Sequence, residues 1–193
     1  MEDFKGHIEK KMGRKTCLIT GSGRGIGLHT TLGLARMDAQ VIIVSHNQER
    51  IKQAQGQVAD MTENDSVQYY VADLSAMMQI QDLVNKIKHN YEHLHVLINN
   101  VAGWFRNFQT SMDGIGMTFA LNHLSYFLLT GLLVDLFKDS TPSRIINISS
   151  DAHKTLKNIR FSDIEFREND SAFSDYAQSQ LANLMFTYEL SER

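Results

Sequence analysis

A glycine-rich turn joins the first apolar run of this 193-residue chain to the first helical pattern, and it reads Thr20-Gly21-Ser22-Gly23-Arg24-Gly25-Ile26-Gly27. In such turns one glycine permits the tight bend, another lets the backbone approach a diphosphate, and a third allows the helix to pack closely on the strand. The unpaired N–H groups and the dipole of the helix then attract an anion. The turn therefore predicts a site for the diphosphate of a nucleotide cofactor.

The residues that end the second apolar run indicate which nucleotide is bound. An acid at this point takes the ribose 2′-hydroxyl of NAD and repels the additional phosphate of NADP. Here the run ends in Ser45-His46-Asn47, which contains no acid, and Arg24 supplies a positive charge within the turn. These residues favour NADP(H) over NAD(H).

A different class of protein uses a similar turn. Gly21, Gly23 and Gly25 also resemble the first motif of S-adenosylmethionine-dependent methyltransferases. Those enzymes carry an acid at the end of the second strand for the ribose hydroxyls, and this chain has none there. Because a glycine-rich turn is weak evidence by itself, the choice depends on residues elsewhere.

Strand and helix patterns alternate along the chain. This alternation, with near-continuous apolar strands, indicates an α/β fold, namely a Rossmann-type doubly wound parallel sheet with helices on both faces. We predict a single domain over residues 1–193 with a tail at 1–14. The predicted strands are 15–20, 40–45, 66–72, 94–99 and 144–149. The predicted helices are 25–37, 48–61, 74–91, 112–138 (interrupted early by glycines) and 174–192, and an irregular loop is predicted at 150–172.

Motifs of one enzyme family occur in order along the chain. Besides the turn, they are Asp73-Leu74, Asn99-Asn100-Val101-Ala102-Gly103, Asn122-His123-Leu124, Ile148-Ser149-Ser150 and Tyr176-Ala177-Gln178-Ser179-Gln180. The chain thus resembles the short-chain dehydrogenases/reductases, most closely the retinol-dehydrogenase-like branch, over nearly its whole length. The resemblance implies hydride transfer between a nicotinamide dinucleotide and a small hydrophobic carbonyl or alcohol substrate.

The resemblance also assigns roles to individual residues. Tyr176 would exchange a proton with the substrate oxygen, and Ser150, with Ser149 as the second choice, would hold that oxygen. Asn122 would hold a water molecule through the backbone of its helix. The further cofactor-binding residues implied in this way are Asp73, Leu74, Asn99, Val101 and Ala102.

The family places a lysine four residues after the tyrosine, and this chain has Gln180 there. Residues four apart share a helix face, so the lysine would lie beside the phenol and reach the nicotinamide ribose. An ammonium about 4 Å from a phenol, at an effective dielectric constant of about 20, lowers a pKa of about 10 by up to about three units. Glutamine carries no charge. We therefore expect strongly reduced turnover with cofactor binding retained, unless His153 or Lys154 supplies the charge.

Composition argues against several other functions. The net charge of −3, with both signs mixed along the chain, offers no basic patch for a nucleic acid. A lone cysteine, Cys17, and an N-terminus without the apolar core of a signal peptide predict a cytoplasmic protein. His89, His93 and His95 straddle a predicted helix end and a strand start, so we predict no metal site.

One segment could be mistaken for a membrane span. Residues 114–134 contain no Asp, Glu, Lys or Arg over 21 positions, about the length that a bilayer needs. However, the segment contains polar residues, and its leucines repeat at helical spacing. We therefore predict a long buried helix and no membrane span.

The chain ends within or just after the helix that carries Tyr176, and only five strands are predicted. In the family, a further strand and much of the substrate pocket follow this point. The resemblance therefore implies a C-terminally truncated form, whose fifth strand would be a bare apolar edge unless a partner covers it. The resemblance also allows a homodimer through the two long helices.

Two functions remain open. The first is an active NADP(H)-dependent oxidoreductase, and the second is a dinucleotide-binding protein with impaired catalysis. A methyltransferase is disfavoured by the end of the second strand and by the set of Asn122, Ser150 and Tyr176.

Overall fold

A computed structural model describes residues 11–167 and 171–192. Residues 1–10 of the predicted tail and residues 168–170 of the predicted loop lie outside the described residues. The strands are β1 (Thr16–Thr20), β2 (Gln40–Ser45), β3 (Val67–Val71), β4 (Val96–Asn99) and β5 (Arg144–Asn147). All adjacent pairs are parallel, and the strand order is β3-β2-β1-β4-β5. This confirms the predicted doubly wound α/β fold.

Helices follow each of the strands. They are α1 (Gly25–Arg36), α2 (Gln48–Thr62), α3 (Met77–Asn90), α4 (Met117–Phe119), a π-helical segment (Ala120–Leu124), α5 (Ser125–Lys138) and α6 (Ala172–Ser191). The predicted irregular loop after β5 contains two short 3₁₀ helices, Asp151–Thr155 and Phe161–Asp163.

The core has two halves because the central strands β1 and β2 carry apolar side chains on both faces. On one face of the sheet, Leu18 of β1 packs with side chains of α3 and α5. On the other face, Cys17 and Ile19 pack with side chains of α1 and α2. Burial raises the pKa of the Cys17 thiol to about 12, so this cysteine is an inert core residue.

Two helices begin later than their periodicity predicts. The third begins at Met77 and not at residue 74, because the Asp73 carboxylate accepts hydrogen bonds from the N–H and hydroxyl of Ser75 and holds a turn there. The long helix begins at Met117 and not at residue 112. An antiparallel bridge between Thr110 and Gly116 closes a turn over the intervening residues.

The long helix is irregular at a place that the glycines do not mark. Its π-helical segment covers five residues, Ala120–Leu124, after the glycines at 114 and 116. A π-helical turn inside an α-helix often lies at a functional site, and here it contains Asn122. The predicted early interruption at the glycines is confirmed, since Gly114 has a φ angle of 74° and Gly116 is the N-cap of α4, whereas the π-helical segment was not predicted.

The helical stretch Met117–Lys138 is long and apolar enough to cross a membrane, with a mean hydropathy of 1.4 over its most apolar window. Half of that window is buried in the fold. Leu129, Leu133 and Phe137 pack in the core against the sheet and α3. In this structure the stretch is a core helix.

β5 lies at one edge of the sheet. It pairs with β4 on one side, and within residues 11–167 and 171–192 no strand pairs with its other side. Ile146 is accordingly exposed.

Candidate active site

The glycine turn has a shape that only glycine permits at its key points. Gly21 and Gly25 have φ angles of 69° and 56°, in the left-handed region that favours glycine. A Cβ atom on Gly27 would lie 2.4 Å from the backbone oxygen of Gly21 and 2.9 Å from Cα of Ser22. Helix α1 can therefore approach the turn this closely only with glycine at position 27.

The N-terminus of α1 is available to an anion. Arg24 is its N-cap, with an extended backbone and no side-chain capping bond in the described structure. No acidic residue lies in the first turn. The first N–H groups of a helix have no partner within the helix, so they and the helix dipole point toward whatever lies at this end.

A cavity of about 460 Å³ opens at this helix end, along the carboxyl edge of the sheet. It is the place where the fold brings together most of the predicted cofactor-binding residues. Those that line it are Gly21, Gly23, Arg24, Gly25, Ile26, Gly27, Ser45, His46, Asp73, Leu74, Val101 and Ala102. A cavity at this edge of a doubly wound sheet is the usual position of a bound nucleotide.

Three of the predicted cofactor-binding residues do not line the cavity. The hydroxyl of Ser22 donates to the backbone oxygen of Ile19. Asn47 caps α2 by accepting from the N–H of Arg50. The buried amide of Asn99 donates to Thr130 and to Asn147. In this structure their side chains hold the elements around the cavity in place.

Arg50 lines the cavity and was missed by the sequence analysis. It lies in the first turn of α2, just beyond Ser45, His46 and Asn47. Its Cβ lies 3.5 Å from the position of a Cβ on Gly23, so it closely approaches the glycine turn. Its position a few residues beyond the end of β2 was the available signal.

The loops after β1 and β4 are joined by a small hydrogen-bond network. The Asn100 side chain donates to the backbone oxygen of Thr20 at 2.8 Å. The Thr20 hydroxyl accepts from the backbone N–H groups of Asn100 and Val101 at 2.9 and 3.1 Å. The two loops that form the centre of the cavity therefore hold each other in one arrangement.

Asn122 connects three parts of the chain. Its Oδ1 accepts from the N–H of Gly103 at 2.8 Å, and its Nδ2 donates to the oxygen of Gly103 at 3.0 Å. The same Nδ2 donates to the hydroxyl of Ser179 on α6 at 3.1 Å. The π-helical segment is therefore tied both to the loop beside the cavity and to the helix that carries Tyr176.

Gln180 is buried on α6, with 2% of its surface exposed. Its Nε2 has no hydrogen-bond partner among the described residues. Its backbone oxygen accepts a 3.0 Å hydrogen bond from the hydroxyl of Ser149. A buried donor without a partner is costly, so the Nε2 group of Gln180 is suited to donate a hydrogen bond to a bound molecule.

The two candidate serines differ in their contacts. The hydroxyl of Ser149 is used to bind the backbone of α6. The oxygen of Ser150 accepts from the N–H of Ala152 at 3.3 Å and caps the first 3₁₀ helix. The Ser150 hydroxyl hydrogen is not required by that contact and remains able to donate.

The cations that could replace the missing lysine are engaged elsewhere. Lys154 is largely exposed and forms an ion pair with Asp151 at 2.7 Å. His153 Nδ1 lies 2.7 Å from the backbone oxygen of Ser150. In these bonds neither residue contacts Gln180. Residues 11–167 and 171–192 also contain no cluster of three metal-ligating side chains.

Two aromatic residues, Trp104 and Tyr126, interact with Tyr176. The ring of Trp104 stacks on it, with ring centres 5.4 Å apart and planes inclined by 24°. Tyr126, on α5, is buried. Burial raises the pKa of Tyr126, and the negative charge of an ionised Tyr176 raises it further, so Tyr126 stays a neutral phenol. Neither the stacking nor Tyr126 was predicted from the sequence.

The sequence of the chain is similar to those of known dehydrogenases. The chain matches the family model described as short chain dehydrogenase over residues 15–160. Human retinol dehydrogenase 13 is 38% identical over 180 residues, which cover 93% of this chain and 54% of that protein. Human polyprenol dehydrogenase is 36% identical over 180 residues, which cover 91% of this chain and 54% of that protein.

Solved structures show the same fold. A protein from Mycobacterium paratuberculosis is 30% identical, with a TM-score of 0.81 over 94% of this chain and 63% of that one. A short chain dehydrogenase from Shigella flexneri complexed with NADP is 21% identical, with a TM-score of 0.77 over 95% of this chain and 73% of that one. At that identity the second likeness concerns the fold alone.

The doubly wound sheet and the cavity at its carboxyl edge define a Rossmann-type nucleotide-binding protein. The chain belongs to the short-chain dehydrogenase/reductase family of oxidoreductases, in its retinol-dehydrogenase-like branch. This confirms the resemblance and rules out the methyltransferase alternative. The chain spans about half the length of the curated relatives that it matches.

Proposed function

We propose that this chain binds NADP(H) in the cavity beside the glycine turn. We also propose that its protein transfers hydride between the nicotinamide and a small apolar carbonyl or alcohol. The observation that carries the proposal is the connection of Asn122 to both Gly103 and Ser179. It joins the loop beside the cavity, the π-helical segment and the helix of Tyr176 at one edge of the sheet.

The residues of the cavity fit a dinucleotide. The absence of a Cβ on Gly27 leaves room for the close approach of α1 to the turn, and the N-terminus of α1 would hold the diphosphate. Asp73 and Leu74 would lie beside the adenine. Arg24 and Arg50 both line the cavity near the end of β2, where they would attract a ribose 2′-phosphate.

The relatives support the class of substrate. Retinol dehydrogenase 13 and polyprenol dehydrogenase are named for apolar alcohols. When bound, the nicotinamide would supply or accept the hydride. Tyr176 would donate its phenolic proton to the substrate oxygen during reduction and take it back during oxidation, and the Ser150 hydroxyl would hold that oxygen.

A second function, dinucleotide binding with little turnover, is favoured by Gln180. This buried amide carries no charge, and its Nε2 has no hydrogen-bond partner among the described residues. It can donate a hydrogen bond to a ribose hydroxyl but cannot stabilise a phenolate as an ammonium does. The chain would then keep the cofactor site and lose most of the proton transfer.

The Gln180→Lys variant separates the two functions. NADPH affinity, measured by fluorescence titration, should be similar in the variant and the parent. NADPH consumption with a panel of aldehydes and ketones should rise on the order of a hundredfold in the variant, the size of a typical general acid–base contribution. Adding Tyr176→Phe to Gln180→Lys should abolish this gain. The control is Gln81→Lys in the parent, which adds the same charge on the exposed face of α3 and should leave the rate unchanged.

The outcomes are distinct. Absence of NADPH binding would refute the cofactor proposal. Equal turnover in the parent and Gln180→Lys, at a substantial rate, would support the active oxidoreductase and refute impairment. Binding without turnover in either protein would refute the proposal of hydride transfer by this chain.

The homodimer is also a proposal. Phe127 of α5 and Met185 and Tyr188 of α6 are exposed, and the ring centres of Phe127 and Phe186 lie 5.5 Å apart. Large side chains of both helices are thus exposed, and the two helices are in contact through Phe127 and Phe186, which supports pairing of two copies. Sedimentation equilibrium over a range of protein concentrations tests it, and a monomer at all concentrations would refute it.

A further inference from the structure

Three aromatic rings form one surface next to the phenol of Tyr176. The ring of Trp104 stacks on Tyr176 at 5.4 Å, and its centre lies 5.9 Å from that of Phe173 with planes inclined by 47°. We call Trp104, Phe173 and the ring of Tyr176 the aromatic surface. Stacked and tilted pairs at these separations are the favourable arrangements of aromatic side chains.

The backbone fixes the position of each ring. Phe173 and Tyr176 are three residues apart on α6 and therefore share a helix face. Trp104 follows Gly103, whose N–H and C=O both bond to the Asn122 side chain. Trp104 is therefore presented to Tyr176 by the same amide that ties the π-helical segment to α6.

The aromatic surface is open on its outer side. Trp104 is 55% exposed and Phe173 is 44% exposed. Large apolar rings that stay in water beside a reactive group are typical of ligand-binding sites, since apolar surface gains free energy when a ligand covers it. The indole stacks on Tyr176, and because 55% of Trp104 is exposed, part of its ring surface is available to a second flat group.

We infer that Trp104 determines specificity by binding a planar, conjugated or aromatic part of the substrate against its exposed indole surface, with Phe173 bounding the surface. The inference rests on the proposed function, because it makes Trp104 a substrate-contacting residue of the same site. A planar substrate stacks on the indole, whereas a saturated one of the same carbon skeleton cannot. The site should therefore discriminate between the two.

Trp104 reports directly on its own contacts, because it is the one tryptophan in the sequence. In ¹⁵N-labelled protein saturated with NADP⁺, the indole N–H therefore gives a single resonance. We expect 2-naphthaldehyde to shift this resonance and its saturated analogue, decahydro-2-naphthaldehyde, to leave it nearly unchanged. Equal shifts by both compounds, or a shift by neither, would overturn the inference.

Kinetics in the Gln180→Lys background provide the second test. Trp104→Leu should raise KM for 2-naphthaldehyde by up to roughly tenfold, because an aromatic pair is lost. It should change kcat, and the KM of the saturated analogue, only little. Trp104→Phe should restore most of the lost affinity. The matched control is Phe161→Leu, since Phe161 is an exposed ring in the second 3₁₀ helix, and it should change neither KM.

The failures of the two proposals are distinguishable. If the Gln180→Lys protein binds NADPH but reduces no carbonyl, the proposed function fails and the indole resonance alone decides the inference. If it reduces both aldehydes and Trp104→Leu changes both KM values equally, the proposed function stands and the inference is wrong.

Discussion

The side chain of Asn183 donates a 2.7 Å hydrogen bond to the backbone oxygen of Asn122 and so joins α6 to the π-helical segment. Because a carbonyl only accepts, this contact orients the amide and directs Oδ1 of Asn183 to Nδ1 of His123, 3.0 Å away. His123 Nδ1 must therefore carry the hydrogen. Asn122, His123 and Asn183 form a largely buried hydrogen-bond chain between α6 and the π-helical segment.

Replacing Asn183 should destabilise the fold. Asn183→Leu leaves the Nδ1–H of His123 without an acceptor and removes the donor to Asn122, so the free energy of unfolding should fall by about 1–3 kcal/mol. Urea unfolding followed by circular dichroism measures it. Asn90→Leu removes an exposed hydrogen bond on α3 and should change the stability by less than about 0.5 kcal/mol. Equal effects of the two substitutions would show that the hydrogen bonds of Asn183 do not stabilise the fold.

Stability should depend on the protonation of His123. Burial lowers the pKa of this ring, and the hydrogen bond with Asn183 opposes the shift in part. The unfolded chain binds the proton near the usual pKa of about 6.5, above the folded value. The contribution of neutral His123 to stability is therefore fully present above about pH 6.5. It is lost as the pH falls from about 6.5 through the lowered pKa of the folded state.

The variant His123→Gln isolates this contribution, because carboxylates affect parent and variant alike. Between pH 7 and pH 5, the free energy of unfolding should decrease less in His123→Gln than in the parent. His29→Gln, on the exposed face of α1, should retain the slope of the parent. Parallel stability curves for parent and His123→Gln would show that the buried ring does not titrate in this range.

The glycine turn should not tolerate a methyl group at position 27. A Cβ there would lie 2.4 Å from the oxygen of Gly21, so Gly27→Ala must displace α1 or the turn. NADPH binding should be lost in a fluorescence titration. Gly33→Ala is the control on the same helix: its Cβ would meet nothing within 4 Å, and it should retain binding and add about 0.5–1 kcal/mol of stability. Undiminished NADPH affinity in Gly27→Ala would place the diphosphate elsewhere.

Arg50 should contribute to the preference for NADPH over NADH. A charge-assisted hydrogen bond contributes about 1.5–3 kcal/mol, so Arg50→Gln should raise the Kd for NADPH by tenfold or more, roughly, and leave the Kd for NADH unchanged. The control is Arg36→Gln, which removes an equal charge from the last turn of α1, at the end of that helix that does not line the cavity. A parallel weakening of both cofactors would assign Arg50 to the diphosphate or to general electrostatics.

The sheet could be predicted well because each strand is a short, nearly continuous apolar run between polar turns. The order of β3-β2-β1-β4-β5 then follows from the doubly wound pattern. Helix starts were less accurate. Asp73 and the bridge between Thr110 and Gly116 compete locally with the helix, and periodicity does not detect such contacts.

The parts of the site that were missed depend on contacts between distant segments. Periodicity does not distinguish a π-helical turn from an α-helical one, so the irregularity at Ala120–Leu124 left no mark in the sequence. The stacking of Trp104 on Tyr176 joins residues 72 positions apart, and the contact of Asn183 with Asn122 joins residues 61 apart. Such pairs become visible only when the fold is known.

The strand order has its reversal between β1 and β4. The chain leaves β1 toward one face of the sheet through α1, and it leaves β4 toward the other face, where α5 lies. A crevice therefore opens between the two loops wherever the chain follows this path, whatever side chain stands at position 180. The topology of the backbone, and not the identity of its catalytic groups, forms this crevice, so a substitution at position 180 changes the chemistry offered to a bound nucleotide without closing the place where it would lie.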